Sequence, residues 1–105
     1  MSISNTSIAT TPAVTTIFNA VTESIVLSIM LCNTSAGDLT VTLYACKSNA
    51  SAADENMFLK EQLIPDGDTF VWASNEKLLL DATDVIRAVA SGTGITATIS
   101  YRSIE

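Results

Sequence analysis

The two cysteines are the residues best placed to do chemistry, and they flank a turn signal. Cys32 and Cys46 both lie in the stretch VLSIMLCNTSAGDLTVTLYACKS, which spans residues 26–48. Such a pair can form a disulfide, supply two ligands to a metal ion, or serve as two small apolar side chains. The choice depends on how the two flanking segments are arranged.

Alternation in these segments predicts a β-hairpin. If Asn33 pairs with Leu39 around the turn TSAGD, the odd positions of both strands are apolar and face a core. In this register the two cysteines lie about 20 Å apart along the ladder, at roughly 3.3 Å per residue. A disulfide requires Cα atoms within about 7 Å. We therefore expect the cysteines not to be bonded to each other and interpret them as small, half-buried apolar residues, with a disulfide between two chains as the alternative.

The chain contains no histidine, which removes the commonest general base and the usual Ser and Cys triads. Two cysteines without histidine also make a poor zinc site, because zinc takes four N or S ligands. We therefore expect a protein that is not an enzyme, with no catalytic residues, no metal and no cofactor.

Acidic residues occur in pairs at turn signals. The pairs are Asp54 with Glu55, Asp66 with Asp68, and Asp81 with Asp84. Aspartates at turns cap backbone N–H groups, and none of these spacings matches a calcium loop. We interpret the pairs as turn caps, with a weak cation site as the alternative.

Four aromatic residues could form a platform for a sugar ring: Phe70 and Trp72, with Tyr44 and Tyr101. Because aromatic residues make up only 6% of the chain, we expect them to be needed for core packing instead. A carbohydrate-binding module is retained as an alternative function.

The charge distribution excludes several classes of partner. The net charge is −6, and the five basic residues are scattered between Lys47 and Arg102, which argues against nucleic acid and anionic membranes. The longest apolar run, residues 25–32, is far shorter than the ~20 residues that span a bilayer. The first residues have neither a basic cluster nor an apolar core, so we expect no signal peptide.

Turn signals recur at short intervals and separate strand-like runs. The predicted strands are residues 14–19, 23–33, 39–47, 57–64, 69–73, 77–80, 84–90 and 95–103. Seven or eight short strands without a helical segment predict an all-β fold, a single antiparallel, jelly-roll-like β-sandwich. We expect residues 23–105 to form the sandwich domain and residues 1–22 to be an N-terminal arm or edge strand of the same unit.

The outward side of the predicted hairpin carries no charge. Its even positions are Val26, Ser28, Met30, Cys32, Thr40, Thr42, Tyr44 and Cys46. A solvated sheet face normally carries charged residues, whereas interface cores are depleted in charge and enriched in Met and aromatic residues. We therefore predict an interface with another copy, in a homotrimer or homodimer. The candidate interface residues are Val26, Met30, Thr40, Thr42 and Tyr44.

Residues 23–105 contain four segments with a recognisable order of strand and turn motifs: SIVLSIMLCNTSAGDLTVTLYAC, LIPDGDTFVW, KLLLDATDVIRAVAS and ITATISYRSIE. These segments resemble small β-sandwich structural proteins of tailed bacteriophage virions. In that group a strand ending in CNTS or similar leads into a Val/Thr-rich strand, an IP turn follows, and a GD-x-IR-V-x-AS segment precedes the last strand. Where that pattern has glycine, this chain has Thr83.

The resemblance implies a function in virion assembly. It implies a non-enzymatic protein made in the host cytoplasm and located in the virion, where it decorates (cements) the capsid and contacts other virion proteins such as the major capsid protein. A neck, tail or fibre component is the alternative. The group has no catalytic residues to transfer to this sequence.

Overall fold

The computed structural model describes residues 2–8, 14–73 and 78–103, and these form nine β-strands and two short 3-10 helices. The strands are β1 (Ser2–Ile8), β2 (Thr15–Asn19), β3 (Ser24–Asn33), β4 (Leu39–Cys46), β5 (Met57–Ile64), β6 (Thr69–Trp72), β7 (Leu78–Leu80), β8 (Val85–Ala90) and β9 (Ile95–Ser103). The 3-10 helices, Lys47–Asn49 and Asp54–Asn56, lie between β4 and β5. The strand boundaries predicted from the turn signals are confirmed to within one residue wherever the structure describes them.

The strands form two antiparallel sheets. One has the order β1-β9-β3-β6, with β7 also paired to β3, and the other has the order β2-β8-β4-β5. Apart from β7, most successive strands alternate between the two sheets, which is the arrangement of a jelly roll. The predicted jelly-roll-like sandwich is therefore confirmed, with nine strands in the described residues.

The predicted pairing of β3 with β4 is wrong. β3 pairs with β9, β6 and β7 in the five-stranded sheet, whereas β4 pairs with β5 and β8 in the four-stranded sheet. Residues 34–38 therefore connect the two layers instead of closing a hairpin. Alternation could not reveal this, because Leu31 and Val41 are both fully buried in either arrangement.

The core lies between the two sheets and follows the period of two along the strands. In β9 the buried residues are Ile95, Ala97 and Ile99. Burying each isoleucine contributes about 1.5–3 kcal/mol. In β3 the register against β9 shifts between Val26 and Ser28, so that Val26 and Ile29 both face the core. Val26, which was predicted to lie on the outward face, is 0% exposed because of this bulge.

A buried asparagine holds one end of the sandwich together. Asn33 is 0% exposed, and its Nδ2 donates to the carbonyl oxygens of Gly37 at 2.8 Å and Ile64 at 2.9 Å. Its Oδ1 accepts from the Ser35 backbone N–H at 2.9 Å and from the Ser35 hydroxyl at 2.7 Å. The amide therefore ties the β3–β4 connection to the end of β5.

The first described residues are part of the sandwich. β1 pairs with β9 along its whole length, from Ser2 opposite Tyr101 to Ile8 opposite Ile95. β1 is thus an edge strand of the five-stranded sheet, and β2 is an edge strand of the other sheet. Within the predicted arm of residues 1–22, residue 1 and residues 9–13 lie outside the described residues.

Candidate interaction surface

The outer side of the five-stranded sheet is built from residues that alternate with the core residues and lie opposite one another across the strands. We call it the five-stranded face. It consists of Ile3, Asn5, Ser7, Ile25, Ser28, Met30, Cys32, Thr69, Val71, Leu79, Thr96, Thr98, Ser100 and Arg102.

Charge is nearly absent from the five-stranded face. Its single charged residue is Arg102, near the end of β9, and none of the nine acidic residues that the structure describes belongs to it. Three large apolar side chains of this face are well exposed: Ile3 at 66%, Val71 at 52% and Leu79 at 62%. A sheet face in contact with water normally carries Lys, Glu or Arg at such positions.

The centre of the five-stranded face is a row of side chains that crosses four strands. Met30 lies opposite Thr98 on one side and opposite Val71 on the other. Asn5 lies opposite Thr98 on the next strand, and its Oδ1 accepts a hydrogen bond of 2.9 Å from the Thr98 hydroxyl. The row therefore combines apolar side chains with hydroxyl and amide groups, a composition that suits a protein partner.

The outer side of the four-stranded sheet has a different character. This four-stranded face includes a shallow groove lined by Thr40, Thr42, Tyr44, Met57, Lys60, Glu61, Val89, Ala90 and Ser91. It therefore carries charges of both signs. Thr42 is only 6% exposed, and its hydroxyl oxygen accepts from the Glu61 backbone N–H at 3.0 Å.

Part of the four-stranded face is covered by the chain's own loop. The Arg87 guanidinium donates to the Thr16 hydroxyl at 2.5 Å and to the Ala50 carbonyl at 3.0 Å. It also donates to the Asn49 side-chain oxygen at 2.7 Å and, more weakly, to the Asn49 carbonyl at 3.3 Å. Arg87 thus holds residues 49 and 50 against the edge of β2.

The predicted outward face is divided between these surfaces. Met30 lies on the five-stranded face, Thr40, Thr42 and Tyr44 lie on the opposite side of the molecule, and Val26 lies in the core. The single face predicted from the sequence does not exist, because its two strands belong to different sheets. The residues that the sequence analysis missed are those of β1, β6, β7 and β9. Thr96, Thr98 and Ser100, which are uncharged and occupy alternate positions of β9, were the feature of the sequence that could have identified this face.

Both cysteines are free and lie in different sheets. Cys32 is half-buried on the five-stranded face, and Cys46 is 1% exposed at the end of β4. The separation predicted for the two cysteines assumed that β3 and β4 form one ladder. It does not apply, because β3 and β4 are not paired.

The turn-cap interpretation is confirmed at Asp84. Its two carboxylate oxygens accept from the backbone N–H groups of Ser48 at 2.8 Å and Asp81 at 3.0 Å. Asp38, which the sequence analysis did not single out, accepts from the Asp66 N–H at 3.1 Å. Over the described residues, no group of three or more Asp, Glu, Cys or His side chains is arranged to hold a metal ion.

The aromatic residues of the five-stranded sheet pack inward. Trp72 contacts Phe58 edge-on, with ring centroids 5.5 Å apart, and both pack against the core. Tyr101 contacts Phe18 with ring centroids 4.7 Å apart. Core packing is therefore confirmed for Trp72 and Tyr101, and Trp72 does not form an exposed platform for a sugar.

Comparison with known proteins finds no matching family model, no matching curated protein and no matching solved structure. Within the part of the chain that the structure describes, no helix has the length and apolar character needed to cross a membrane. The chemistry of the two outer faces and the resemblance of the strand and turn motifs are thus the grounds for a functional proposal.

Proposed function

We propose that this chain is a non-enzymatic structural protein of a bacteriophage virion, a capsid decoration protein that associates with itself and with the particle. The observation that carries the proposal is the five-stranded face, with one charged residue among its fourteen positions in a chain of net charge −6. The resemblance of residues 23–105 to virion proteins supplies the setting.

The distribution of charge favours contact at the five-stranded face. The acidic residues that the structure describes lie elsewhere, in connections and on β5, so a partner that approaches this face meets few charged groups. Exposed Ile3, Val71 and Leu79 add apolar area that a partner would remove from water.

The dimensions of the face are sufficient for a weak to moderate protein complex. Four strands at about 4.8 Å spacing, each about 25 Å long, cover about 500 Å². A flat partner would therefore remove roughly 1,000 Å² of total surface from water, which is near the lower limit for specific complexes. Repetition of the contact over a particle would multiply this modest affinity.

The described polar groups support a structural role over a catalytic one. The chain lacks histidine, and the Asp84 and Asp38 carboxylates bind backbone N–H groups of turns instead of facing a cleft. A position in the neck, tail or fibre would use the same face and differs only in location. A carbohydrate-binding role has less support, because Trp72 packs against the core.

Incorporation of the chain into phage particles tests the proposal. Tagged copies of the chain are expressed during growth of a phage that encodes it, and the particles are purified on a density gradient and analysed by mass spectrometry. We expect the wild-type chain in the particle band at a copy number comparable to that of the capsid protein. Met30→Glu should be depleted from that band, while Tyr44→Glu, a matched change on the opposite face, should be incorporated. A wild-type chain that remains entirely in the soluble fraction would overturn the proposal.

A further inference from the structure

The sheet edges of this sandwich differ in how well they are protected. The β4–β5 ladder shifts register twice, and β5 carries Lys60 and Glu61. β2 has a bulge at Ile17, and β6 and β7 are only four and three residues long. Bulges, charges and short length are the devices by which proteins stop an edge strand from pairing with another chain.

β1 has none of these devices. Its seven residues, SISNTSI, contain no charge, proline or glycine, and they pair with β9 without a register shift. Among the described strands, β9 is the sole sheet partner of β1, so no other described strand pairs with its second edge. The neighbouring β2 belongs to the other sheet and contacts β1 through a long hydrogen bond of 3.5 Å from the Thr6 hydroxyl to the Ile17 carbonyl.

We propose that the free edge of β1 pairs antiparallel with β1 of a second copy across a two-fold axis. The two five-stranded sheets then form one continuous ten-stranded sheet. The inference deepens the proposed function and rests on it, because it assigns self-association to the β1 edge and leaves the five-stranded face for the particle.

A second copy fits this edge better than an unrelated chain does. Antiparallel pairing of identical strands is self-complementary and is generated by a two-fold axis, the commonest symmetry of homo-oligomers. With Asn5 on the axis, the antiparallel register places Ile3 of one copy opposite Ser7 of the other. Residues 1–22 carry no charged side chain, so two copies of net charge −6 meet where neither contributes an acidic group.

The pairing would also enlarge the docking surface. It places two five-stranded faces side by side on one sheet, with a combined area of about 1,000 Å². A partner that covers both faces would then bury roughly 2,000 Å² in total, well within the range of stable complexes.

Cysteine cross-linking tests the axis. In a chain whose native thiols are removed by Cys32→Ser and Cys46→Ala, we introduce Ile3→Cys, Asn5→Cys or Ser7→Cys in turn and oxidise mildly. Residues on the axis of an antiparallel pair come within disulfide distance, so we expect Asn5→Cys to give about tenfold more covalent dimer than Val71→Cys, a control at the opposite edge of the same face. Circular dichroism establishes that each variant is folded.

The outcomes separate this inference from the proposed function. If Val71→Cys cross-links and none of the three β1 variants does, the copies stack face to face. This outcome would overturn the edge pairing and retain the proposed function. No cross-linking at any position would overturn the edge pairing as well. Amide hydrogen exchange on the unmodified chain gives a second readout, in which protection of residues 2–8 should rise about tenfold from dilute to concentrated protein while that of β2 stays constant. Concentration-independent protection of residues 2–8 would contradict the proposal.

Discussion

At the scale of single residues, Asn33 shows how one side chain can fix a connection between layers. Its amide binds Gly37, Ser35 and Ile64, and among the described residues every buried side-chain nitrogen and oxygen has a hydrogen-bond partner. The sequence CNTS could be recognised as a turn signal. Its role could not be predicted, because the Ile64 carbonyl is distant in sequence and becomes a partner only after the sheets pack.

We predict that Asn33→Ala lowers the free energy of unfolding by about 3 kcal/mol, because it removes the side-chain hydrogen bonds of Asn33 and takes its amide donor away from the buried Ile64 carbonyl. Chemical denaturation measures the change. Asn19→Ala, the same substitution at an exposed position of β2, should change stability by less than about 0.5 kcal/mol. Equal effects of the two substitutions would show that the Asn33 hydrogen bonds do not stabilise the fold.

Thr83 is a strained residue in the turn that precedes β8. Its φ of 76° lies in the left-handed region, which is unfavourable for a β-branched side chain. The turn is held by hydrogen bonds from the Thr83 N–H to the Ala20 carbonyl at 2.8 Å and from the Asp84 N–H to the Asp81 carbonyl at 3.1 Å. Surrounding contacts therefore maintain an unfavourable backbone conformation.

We predict that Thr83→Gly raises the free energy of unfolding by about 0.5–1 kcal/mol, since the relief of left-handed strain exceeds the greater chain entropy of glycine. Thr83→Ala keeps the Cβ atom and should gain less than Thr83→Gly. Thermal unfolding of the three proteins compares them directly. A lower melting temperature for the glycine variant would show that the threonine side chain stabilises the turn.

At the scale of strands and loops, the sequence predicted where elements lie better than how they pair. Turn chemistry gave the strand ends, because Asp, Gly and Pro act locally. Partner choice depends on the layer to which each strand belongs, and the alternation in β3 and β4 is the same for two paired strands and for two strands that face each other across a core. The bulge after Val26 could not be predicted for a similar reason. An extra residue within an apolar run does not change the composition of that run.

Arg87 offers a test of how the loop after β4 is restrained, because its side chain holds residues 49 and 50 in place. Ser48 and Asn49 both have positive φ values, of 55° and 60°, so this segment needs external contacts to stay ordered. Arg87→Lys replaces the several planar N–H donors of the guanidinium with a single ammonium group. We predict that it lowers the free energy of unfolding by about 1 kcal/mol and accelerates amide exchange in residues 47–50. Arg102→Lys, at an exposed site near the end of β9, should leave both quantities unchanged. Unaltered exchange in the Arg87 variant would contradict the proposed restraint.

At the scale of the whole molecule, the absence of charged side chains from residues 1–22, which include β1, predicts how self-association responds to salt. Charged interfaces weaken as salt screens their attraction, whereas contacts between uncharged surfaces of two acidic molecules lose only repulsion. We predict that self-association measured by sedimentation velocity is unchanged or stronger between about 0.05 and 0.5 M NaCl. Dissociation at the higher salt concentration would show that charged groups make the contact.

Electron cryo-microscopy of purified phage particles would show whether a neighbouring protein covers the five-stranded face, as proposed above. We expect repeated density for this sandwich on the particle, with Met30, Val71 and Leu79 against a neighbouring protein and the Lys60 and Glu61 side of the molecule toward solvent. A particle in which the sandwich is present but the five-stranded face is open to solvent would contradict it.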